Sequence, residues 1–317
     1  MNLIDVAREL ATEHDCLAFL EKQRWPDGVV RCPVCGCDQI SKITRKSVTK
    51  NKRTGIYQCL EKTCKQQFSA TSGTIFNDSH LPLTKWFMAI TLIMDAKKGI
   101  SAKQVQTHLG IGSYKTAWYL CHRIRKAMAD TDSAPMTGVV EVDEAYIGGT
   151  SVRRFKRARK AKPAKEMVLA MRERSFKGTT GRVRYFHIPD GKRATIQPIL
   201  EKHLADNTSR IYTDDSAVYD FAINPMHASK HRKVNHSKEW VVPGSRIHTN
   251  TVESSFSLLK RGLIGSFHRV SIKHLHRYLS EFEYRFNARN AADRFGMTVG
   301  EMVVTAPMQF KELTAGA

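Results

Sequence analysis

The sequence predicts an α+β protein of several domains, and three features of the chain support this. A cysteine-rich segment over residues 25–76 is followed by a helical pattern over residues 80–130. From residue 138 onward, strand-like runs alternate with helical ones, which indicates an α/β core over 138–290. An amphipathic helix is expected over 1–24 and a C-terminal tail over 291–317. With 317 residues, the chain has room for one large domain and one or two small ones.

The charge of the chain indicates its class of partner. Lys and Arg number 51 against 30 Asp and Glu, which gives a formal net charge of +21. Such an excess favours a polyanion, most often nucleic acid, although a merely soluble basic protein would share it. The longest uncharged apolar run, 86–94, is too short to span a bilayer. We expect a cytoplasmic protein without membrane contact, because the first 24 residues do not read as a secretory signal.

Five of the seven cysteines lie between residues 32 and 64, which favours a metal over disulfides. Cys32 and Cys35 form a C-x2-C knuckle followed by a glycine, and Cys59 and Cys64 form a second, wider C-x4-C pair. Four thiolates in two pairs suit tetrahedral zinc, which would stabilise a segment that has little core of its own. We therefore predict a structural zinc ribbon over 25–76, with Cys37 as a free thiol. Scattered reduced cysteines are the alternative.

The helical segment has the pattern of two short helices around a glycine turn. Ser101 and Ser113 are suitable N-caps, and apolar residues recur on one face of each helix. The segment is therefore helix-turn-helix-like, although an ordinary helical hairpin would look the same. The residues of the second helix that we expect to contact DNA are Tyr114, Lys115, Arg123 and Arg125.

Two predicted strands carry acidic residues. In the run that starts at residue 139, strand alternation places Glu141 and Asp143 on one face. A second short strand, 210–215, ends on Asp214 and Asp215. Acids gathered in so basic a chain suit divalent cations at a phosphodiester. Taken singly, each acid is more often a solvated residue.

A third acidic residue lies on a predicted helix that starts near residue 250. Glu253 and Lys260 are two turns apart at the edge of its apolar stripe, where they could bind a metal and a phosphate. Asn250 and Glu253 also fit a capping box, in which Glu253 only reaches back to the cap. The residues predicted to form the buried stripe are Val252, Phe256, Leu259 and Leu263.

Several short motifs, in a fixed order, resemble those of the ISXO-like insertion-sequence transposases. The resemblance covers residues 25–290. The motifs lie at residues 32–36 (CPVCG), 57–69, 71–76 (TSGTIF), 81–87, 115–118, 122–125, 142–149, 212–214, 248–253, 260–262 and 281–287. The C-x4-C spacing of the second cysteine pair departs from the tighter pair usual in this family.

The resemblance implies an RNase H-like catalytic core, two Mg²⁺ or Mn²⁺ ions, and cleavage and strand joining at transposon ends. Carried over by position, the triad is Asp143, Asp214 and Glu253, with Lys260 as the accompanying base. Some members use Asn at the third position, which makes Asn250 the runner-up. The implied partners are double-stranded DNA, as terminal repeats and as target, and further copies of the chain on that DNA. A bacterial protein of this kind would associate with the nucleoid.

A basic loop and two rival functions complete the prediction. Residues 150–165 carry eight Lys or Arg and no acid, which is typical of a phosphate-contacting loop or of a solubilising one. The residues of this loop that we expect to bind DNA are Arg153, Arg154, Lys156 and Arg157. The rivals are a non-catalytic DNA-binding regulator and an RNase H-like nuclease that cuts without joining. Should the triad be misassigned, Glu141 or Glu144 would replace Asp143, and Asp215 would replace Asp214.

Overall fold

The computed structural model describes residues 1–43, 55–129, 134–148, 165–175, 178 and 180–315. The chain forms two compact units, one of residues 1–128 with 291–317 and the other of residues 129–290. Among the described residues, no helix is long and apolar enough to cross a membrane.

The first unit begins with two helices, where a single amphipathic helix was expected. These are α1 (Leu3–Glu9) and α2 (Glu13–Arg24). The break arises because Thr12 forms a capping box with Asp15, which starts a second helix immediately after the first has ended. The Arg24 guanidinium then donates to the carbonyl of Ala70 at 2.7 Å, which holds the following cysteine-rich segment against α2.

The cysteine-rich segment folds into a small antiparallel sheet. Its strands are β1 (Ile40–Lys42), β2 (Tyr57–Cys59) and β3 (Gln67–Phe68), in the order β1-β2-β3. Trp25, Tyr57 and Phe68 form an aromatic cluster beside it, with centroids 5.7 Å apart for Trp25–Tyr57 and for Tyr57–Phe68. These rings supply most of the apolar support that so small a sheet has.

Three helices complete the N-terminal part of this unit: α3 (Leu83–Asp95), α4 (Ala102–His108) and α5 (Tyr114–Ala127). Helix α3 is nearly all apolar and lies in the core, with Trp86 and Phe87 at 1% and 0% exposure. Ser101 and Ser113 are the N-cap residues of α4 and α5, as the sequence predicted; Ser101 also forms a capping box with Gln104, whereas the Ser113 side chain makes no cap hydrogen bond.

The second unit is built on a mixed five-stranded sheet. Its strands are β4 (Val139–Ile147), β5 (Glu166–Glu173), β6 (Val183–Ile188), β7 (Arg210–Asp214) and β8 (His231–Val234). The order is β6-β5-β4-β7-β8; β4, β5 and β6 pair antiparallel, whereas β7 runs parallel to both β4 and β8. This mixed α+β core agrees with the RNase H-like fold that the resemblance implied.

Helices cover both faces of this sheet. Between strands β6 and β8 the chain forms α6 (Arg193–His203), α7 (Ala217–Ala222) and α8 (Pro225–Ala228). After β8 come α9 (Asn250–Gly262), a π-helical turn (Leu263–Phe267) and α10 (Ile272–Asn287). Val140 and Val142 of β4 pack toward α6 and α7, and Ala145 and Ile147 pack toward α9 and α10. The alternation along β4 therefore turns Glu141 and Asp143 toward the α9 face.

The residues after 290 return to the first unit and are not a tail. They form α11 (Arg294–Val304) and α12 (Phe310–Thr314). The Phe295 ring lies 5.4 Å from that of Phe87, and the amide of Ile75 donates to the Met302 carbonyl at 3.4 Å. The expectation of a tail was wrong because the apolar positions of α11 fill a core that begins more than 200 residues earlier in the chain.

Candidate active site and zinc cluster

The four cysteines predicted as zinc ligands converge in the first unit. The Sγ atoms of Cys32, Cys35, Cys59 and Cys64 all lie within 4.8 Å of one another. The Cys32–Cys64 and Cys35–Cys59 pairs are 3.7 and 3.6 Å apart. Four Zn–S bonds of about 2.3 Å in a tetrahedron require sulfur atoms about 3.8 Å apart. The cluster therefore fits zinc, and four thiolates would fill its coordination sphere, which is typical of a structural site.

Two tight turns place these thiols. Gly36, at φ +75°, donates to the Cys32 carbonyl at 2.9 Å and closes the first knuckle. Burial raises the pKa of the Cys32 thiol, but the backbone N–H groups of Cys35 and Val34 outweigh it and lower that pKa to about 7. Cys37 stands apart from the four, and its sulfur accepts a hydrogen bond from the Gln39 amide at 3.3 Å.

The second cysteine pair uses a wider turn, as its C-x4-C spacing predicted. The amides of Cys64 and Lys65 both donate to the Glu61 carbonyl at 3.1 Å, and Lys65 takes a positive φ of 50°. Lys65, directly after Cys64, lies in the left-handed region and turns the chain back toward β2, where the Cys59 amide donates to the Gln66 carbonyl at 2.9 Å.

In the second unit, parallel pairing brings two predicted triad residues together. The β4–β7 ladder pairs Val139 with Arg210 and ends at Glu141 opposite Tyr212. Asp143 and Asp214 lie two residues further along each strand, so the same register, continued past the last pair, would align them. The charge of Asp214 contributes to raising the pKa of Asp143, which is in line with this alignment. Asp214 Oδ1 also accepts from the Ser216 amide at 3.1 Å, which orients the carboxylate.

The electrostatics of Asp143 show that further acids are close to it. Burial raises its pKa to about 7, and the charges of Glu144, Asp214 and Glu253 act in the same direction, against the hydrogen bond from the Glu144 amide. An acid shifted this far is held where its ionised form is disfavoured. The two other carboxylates that the resemblance pointed to, Asp214 and Glu253, thus act electrostatically on Asp143.

Helix α9 supplies the third carboxylate, and its start differs from the expectation. Thr249 occupies the N-cap position, whereas Asn250 is the first helical residue and is exposed. The Thr249 hydroxyl donates to Glu253 Oε1 at 3.0 Å, and His236 Nε2 lies 2.7 Å from that hydroxyl and 3.3 Å from the carboxylate. The predicted Asn250–Glu253 capping box is therefore replaced by a contact with Thr249. The apolar stripe of α9 is buried as predicted.

Glu141 anchors this helix start to the sheet. Its side chain is fully buried, its Oε2 accepts from the Val252 amide at 2.8 Å, and its Oε1 pairs with Arg174 Nε at 2.5 Å. Arg174 also reaches the carbonyls of Arg246 and His248 at 2.7 and 2.9 Å. Burial and the charge of Arg174 lower the pKa of His248, whose Nδ1 lies 2.9 Å from an Arg174 nitrogen and can accept from it when neutral.

The other acids considered as ligands have different surroundings. Glu144 has a pKa raised chiefly by burial and lies beside Tyr219 of α7, on the face of β4 opposite to Asp143. Asp215 is exposed and accepts from the Asn235 side chain at 2.9 Å. Lys260 is exposed two turns after Glu253, with its Nζ 6.0 Å from the Phe256 ring centroid.

The residues predicted to contact DNA divide into three groups. Tyr114 is 53% exposed, and Lys115 is exposed with its Nζ 4.2 Å from the Phe310 ring centroid. Arg123 and Arg125 are 3% and 1% exposed, which removes them from the DNA-facing surface. Arg123 donates to the carbonyls of Ile75 and Asn77 and stacks on Trp86. The residues of the basic loop, Arg153, Arg154, Lys156 and Arg157, lie outside the described residues.

Sequence reasoning missed the polar residues that hold the third carboxylate. His236 and Thr249 contact Glu253 directly, and Arg174 and His248 act through Glu141. His248 and Thr249 stand within one of the resembling motifs, which was a usable signal. Arg174 is 33 positions from Glu141, and no local pattern links the two.

The fold and these sites define a zinc-ribbon protein with a mixed α+β core, in which the charges of Asp214 and Glu253 act on Asp143. Two family models match the chain: the transposase zinc-ribbon domain over residues 11–67 and the ISXO2-like transposase domain over 135–287. Residues 135–287 thus match the ISXO2-like transposase domain, and a transposase-type zinc ribbon precedes them. It is similar to an uncharacterized protein in transposable element ISH50 of Halobacterium salinarum, with 28% identity over 88% of this chain and 92% of that protein. No solved structure matches the chain significantly.

Proposed function

We propose that the chain binds the ends of its insertion sequence, cuts the DNA there and joins the freed strand to a target. The observation that carries this proposal is that the charges of Asp214 and Glu253 both contribute to raising the pKa of Asp143. Asp143 and Asp214 come from the neighbouring parallel strands β4 and β7, and Glu253 comes from the first turn of α9. The match of residues 135–287 to the ISXO2-like transposase domain supports the transposase role, and the net charge of +21 supports a nucleic-acid substrate.

The donor set of this cluster fits a divalent cation of the magnesium type. Three carboxylates are hard oxygen ligands, which Mg²⁺ and Mn²⁺ prefer. Burial, with a smaller contribution from the charges of Glu144, Asp214 and Glu253, raises the pKa of Asp143 to about 7, and a bound cation would favour its ionised form. Bound there, Mg²⁺ or Mn²⁺ would polarise the scissile phosphate and lower the pKa of the attacking hydroxyl.

The residues of the chain hold and orient the reacting groups. Asp143 and Asp214 are fixed by the sheet, and Glu253 is oriented by Thr249 and His236. Lys260, which is exposed on α9, is proposed to contact a phosphate of the same DNA strand. Water, or the 3′-hydroxyl of a cut strand, is the nucleophile, so the proposal needs no serine or tyrosine and no covalent protein–DNA intermediate.

DNA recognition is assigned to the first unit. The zinc ribbon and the α4–α5 pair, with Tyr114 and Lys115 exposed at the start of α5, are proposed to bind the terminal repeats. The basic loop around Arg153 to Arg157 is proposed to add contacts to phosphates that carry no sequence information. A joining reaction at two ends requires two or more copies of the chain on the DNA.

A strand-transfer assay tests the proposal. The purified chain is incubated with Mg²⁺ or Mn²⁺, a labelled duplex of the flanking element end, and a supercoiled target plasmid. Joined products are expected with the native chain and none with Asp143→Asn or Asp214→Asn. Cut ends without joined products would instead indicate the nuclease function, and binding without any cut would indicate the regulator.

A further inference from the structure

Trp240, in the second unit, is exposed, whereas the three tryptophans of the first unit are buried or half-buried. The sequence has four tryptophans, all within the described residues. Trp25 and Trp86 are 7% and 1% exposed and Trp118 is half-buried, whereas Trp240 is 66% exposed and its neighbour Val241 is 39% exposed. Leaving so large a ring in water gives up hydrophobic stabilisation and is typical of a binding surface.

Only the His236 side chain separates Trp240 from Glu253, the proposed third metal ligand. Its ring centroid lies 5.4 Å from that of His236, with the planes at 51°. The same imidazole contacts the Thr249 hydroxyl at 2.7 Å and the Glu253 carboxylate at 3.3 Å. A group stacked on Trp240 would therefore lie beside the carboxylate cluster.

The loop that carries Trp240 is fixed at both of its ends. On one side, the amides of Lys238 and Glu239 donate to the Asn235 carbonyl at 2.9 and 3.0 Å, and Asn235 itself donates to Asp215. On the other side, the Arg246 carbonyl accepts from Arg174 at 2.7 Å. The backbone of the loop that carries the ring is thus anchored on both sides, and a loop ordered before binding lowers the entropic cost of binding.

We propose that Trp240 is a stacking platform for an unpaired DNA base next to the scissile phosphate. This inference rests on the proposed function, because the substrate is the DNA cut at the neighbouring carboxylates. The surroundings favour a polyanion over an apolar protein surface: residues 230–248 carry five Lys or Arg and one acid, and Lys238 and Arg246 are exposed.

An unpaired base fits Trp240 better than a paired one. Within a duplex, the two faces of each base are covered by its neighbours, and only the edges are open in the grooves. A base that leaves the stack exposes a face of the size and flatness of an indole, and the backbone beside it becomes accessible.

Binding measurements on two probes test this platform. Fluorescence anisotropy is measured with labelled (dT)20 and with a 20-bp duplex of mixed sequence, on the full chain without divalent metal. Trp240→Ala should bind (dT)20 about ten-fold more weakly, whereas binding to the duplex should change less than about two-fold. Trp240→Phe keeps an aromatic face and should retain most of the affinity. Phe221→Ala, which removes another exposed ring (62%) of the same unit, should match the native chain on both probes.

A second readout reports the stacking itself. A duplex with a single-stranded flank that contains 2-aminopurine should lose fluorescence on binding to the native chain, and this quenching should be absent with Trp240→Ala. Equal affinity of Trp240→Ala and the native chain for (dT)20, or an equal loss on both probes, would overturn the platform. The strand-transfer assay is independent of these measurements: failure there with intact stacking would remove the proposed function and leave the base platform in place.

Discussion

The buried carboxylate of Glu141 accepts a hydrogen bond from the backbone amide of Val252, at 2.8 Å, and so ties strand β4 to the first turn of α9. Asp143 lies two residues further along β4, and Glu253 follows Val252 directly. Glu141 therefore fixes the spacing between Asp143 and Glu253, although it is not itself a proposed metal ligand.

Glu141→Gln tests this link. The neutral amide would leave Arg174 without its ion-pair partner, and breaking such a buried pair should lower the free energy of unfolding by about 3 kcal/mol. Because α9 would lose its anchor, DNA cleavage should also fall, by at least about ten-fold. Glu173→Gln is the matched control, since Glu173 forms the comparable pair with Arg182 away from α9. This control should lose stability and keep cleavage; cleavage at the native rate by Glu141→Gln would exclude the positioning role.

Asp143→Asn should stabilise the metal-free protein, increasingly so at higher pH. The folded-state pKa of Asp143, about 7, lies above its ordinary value of 3.8, so its contribution to stability is complete below 3.8 and is lost as the pH rises through 7. A shift of this size corresponds to about 4 kcal/mol at most, and partial exposure reduces the expected gain at pH 8 to about 1–2 kcal/mol.

Thermal unfolding in EDTA at pH 5 and pH 8 measures this gain, with Asp215→Asn as the exposed control. Magnesium should then stabilise the native chain and not Asp143→Asn. If Asp143→Asn stabilised the protein equally at pH 5 and pH 8, the surroundings of Asp143 would not disfavour its ionised form.

The third ligand can be decided with two variants of α9. Glu253→Gln should abolish cleavage, because a neutral amide binds a hard cation far more weakly than a carboxylate. Asn250→Ala should change stability by less than about 0.5 kcal/mol, since Asn250 is exposed and Thr249 holds the cap position. Cleavage assays on both variants, with circular dichroism as a check of folding, give the answer. An active Glu253→Gln beside a folded but inactive Asn250→Ala would reverse the assignment.

The zinc cluster predicts that substituting Cys35 and substituting Cys37 have different effects on zinc binding. Cys35→Ser removes one of four converging thiols and should lose the bound zinc, about one ion per chain, together with specific binding to element ends. Cys37→Ser should keep both, because its sulfur accepts from Gln39 and stands apart from the cluster. Metal analysis of the purified variants measures this; full zinc content in Cys35→Ser would refute the ligand set.

The start of α5 should contribute to DNA affinity through Lys115. Lys115→Gln should weaken binding to element ends and reduce the slope of log affinity against log salt by about 1, as for a single phosphate contact. Lys22→Gln, an exposed lysine on α2, is the control and should leave the slope unchanged. An unchanged slope in both variants would remove Lys115 from the interface.

The sequence determined those features whose cause is local. The spacing of Cys32, Cys35, Cys59 and Cys64 predicted a thiol cluster because knuckle turns are set by a few consecutive residues. Strand alternation placed Glu141 and Asp143 on one face of β4, and the helical period identified the buried stripe of α9. The structure confirms these predictions, and each of them rests on the local geometry of a turn, a strand or a helix.

Contacts between side chains that are far apart in the sequence were decided by the tertiary structure alone. Arg123, predicted to face DNA, is buried under the carbonyls of Ile75 and Asn77, and residues 294–304 complete a core with Phe87. Arg174 fixes α9 through Glu141, and Thr249 takes the cap position expected of Asn250. A basic residue has the same sequence pattern whether it binds a phosphate or a buried carbonyl, and only the packing of distant segments decides which of the two it contacts.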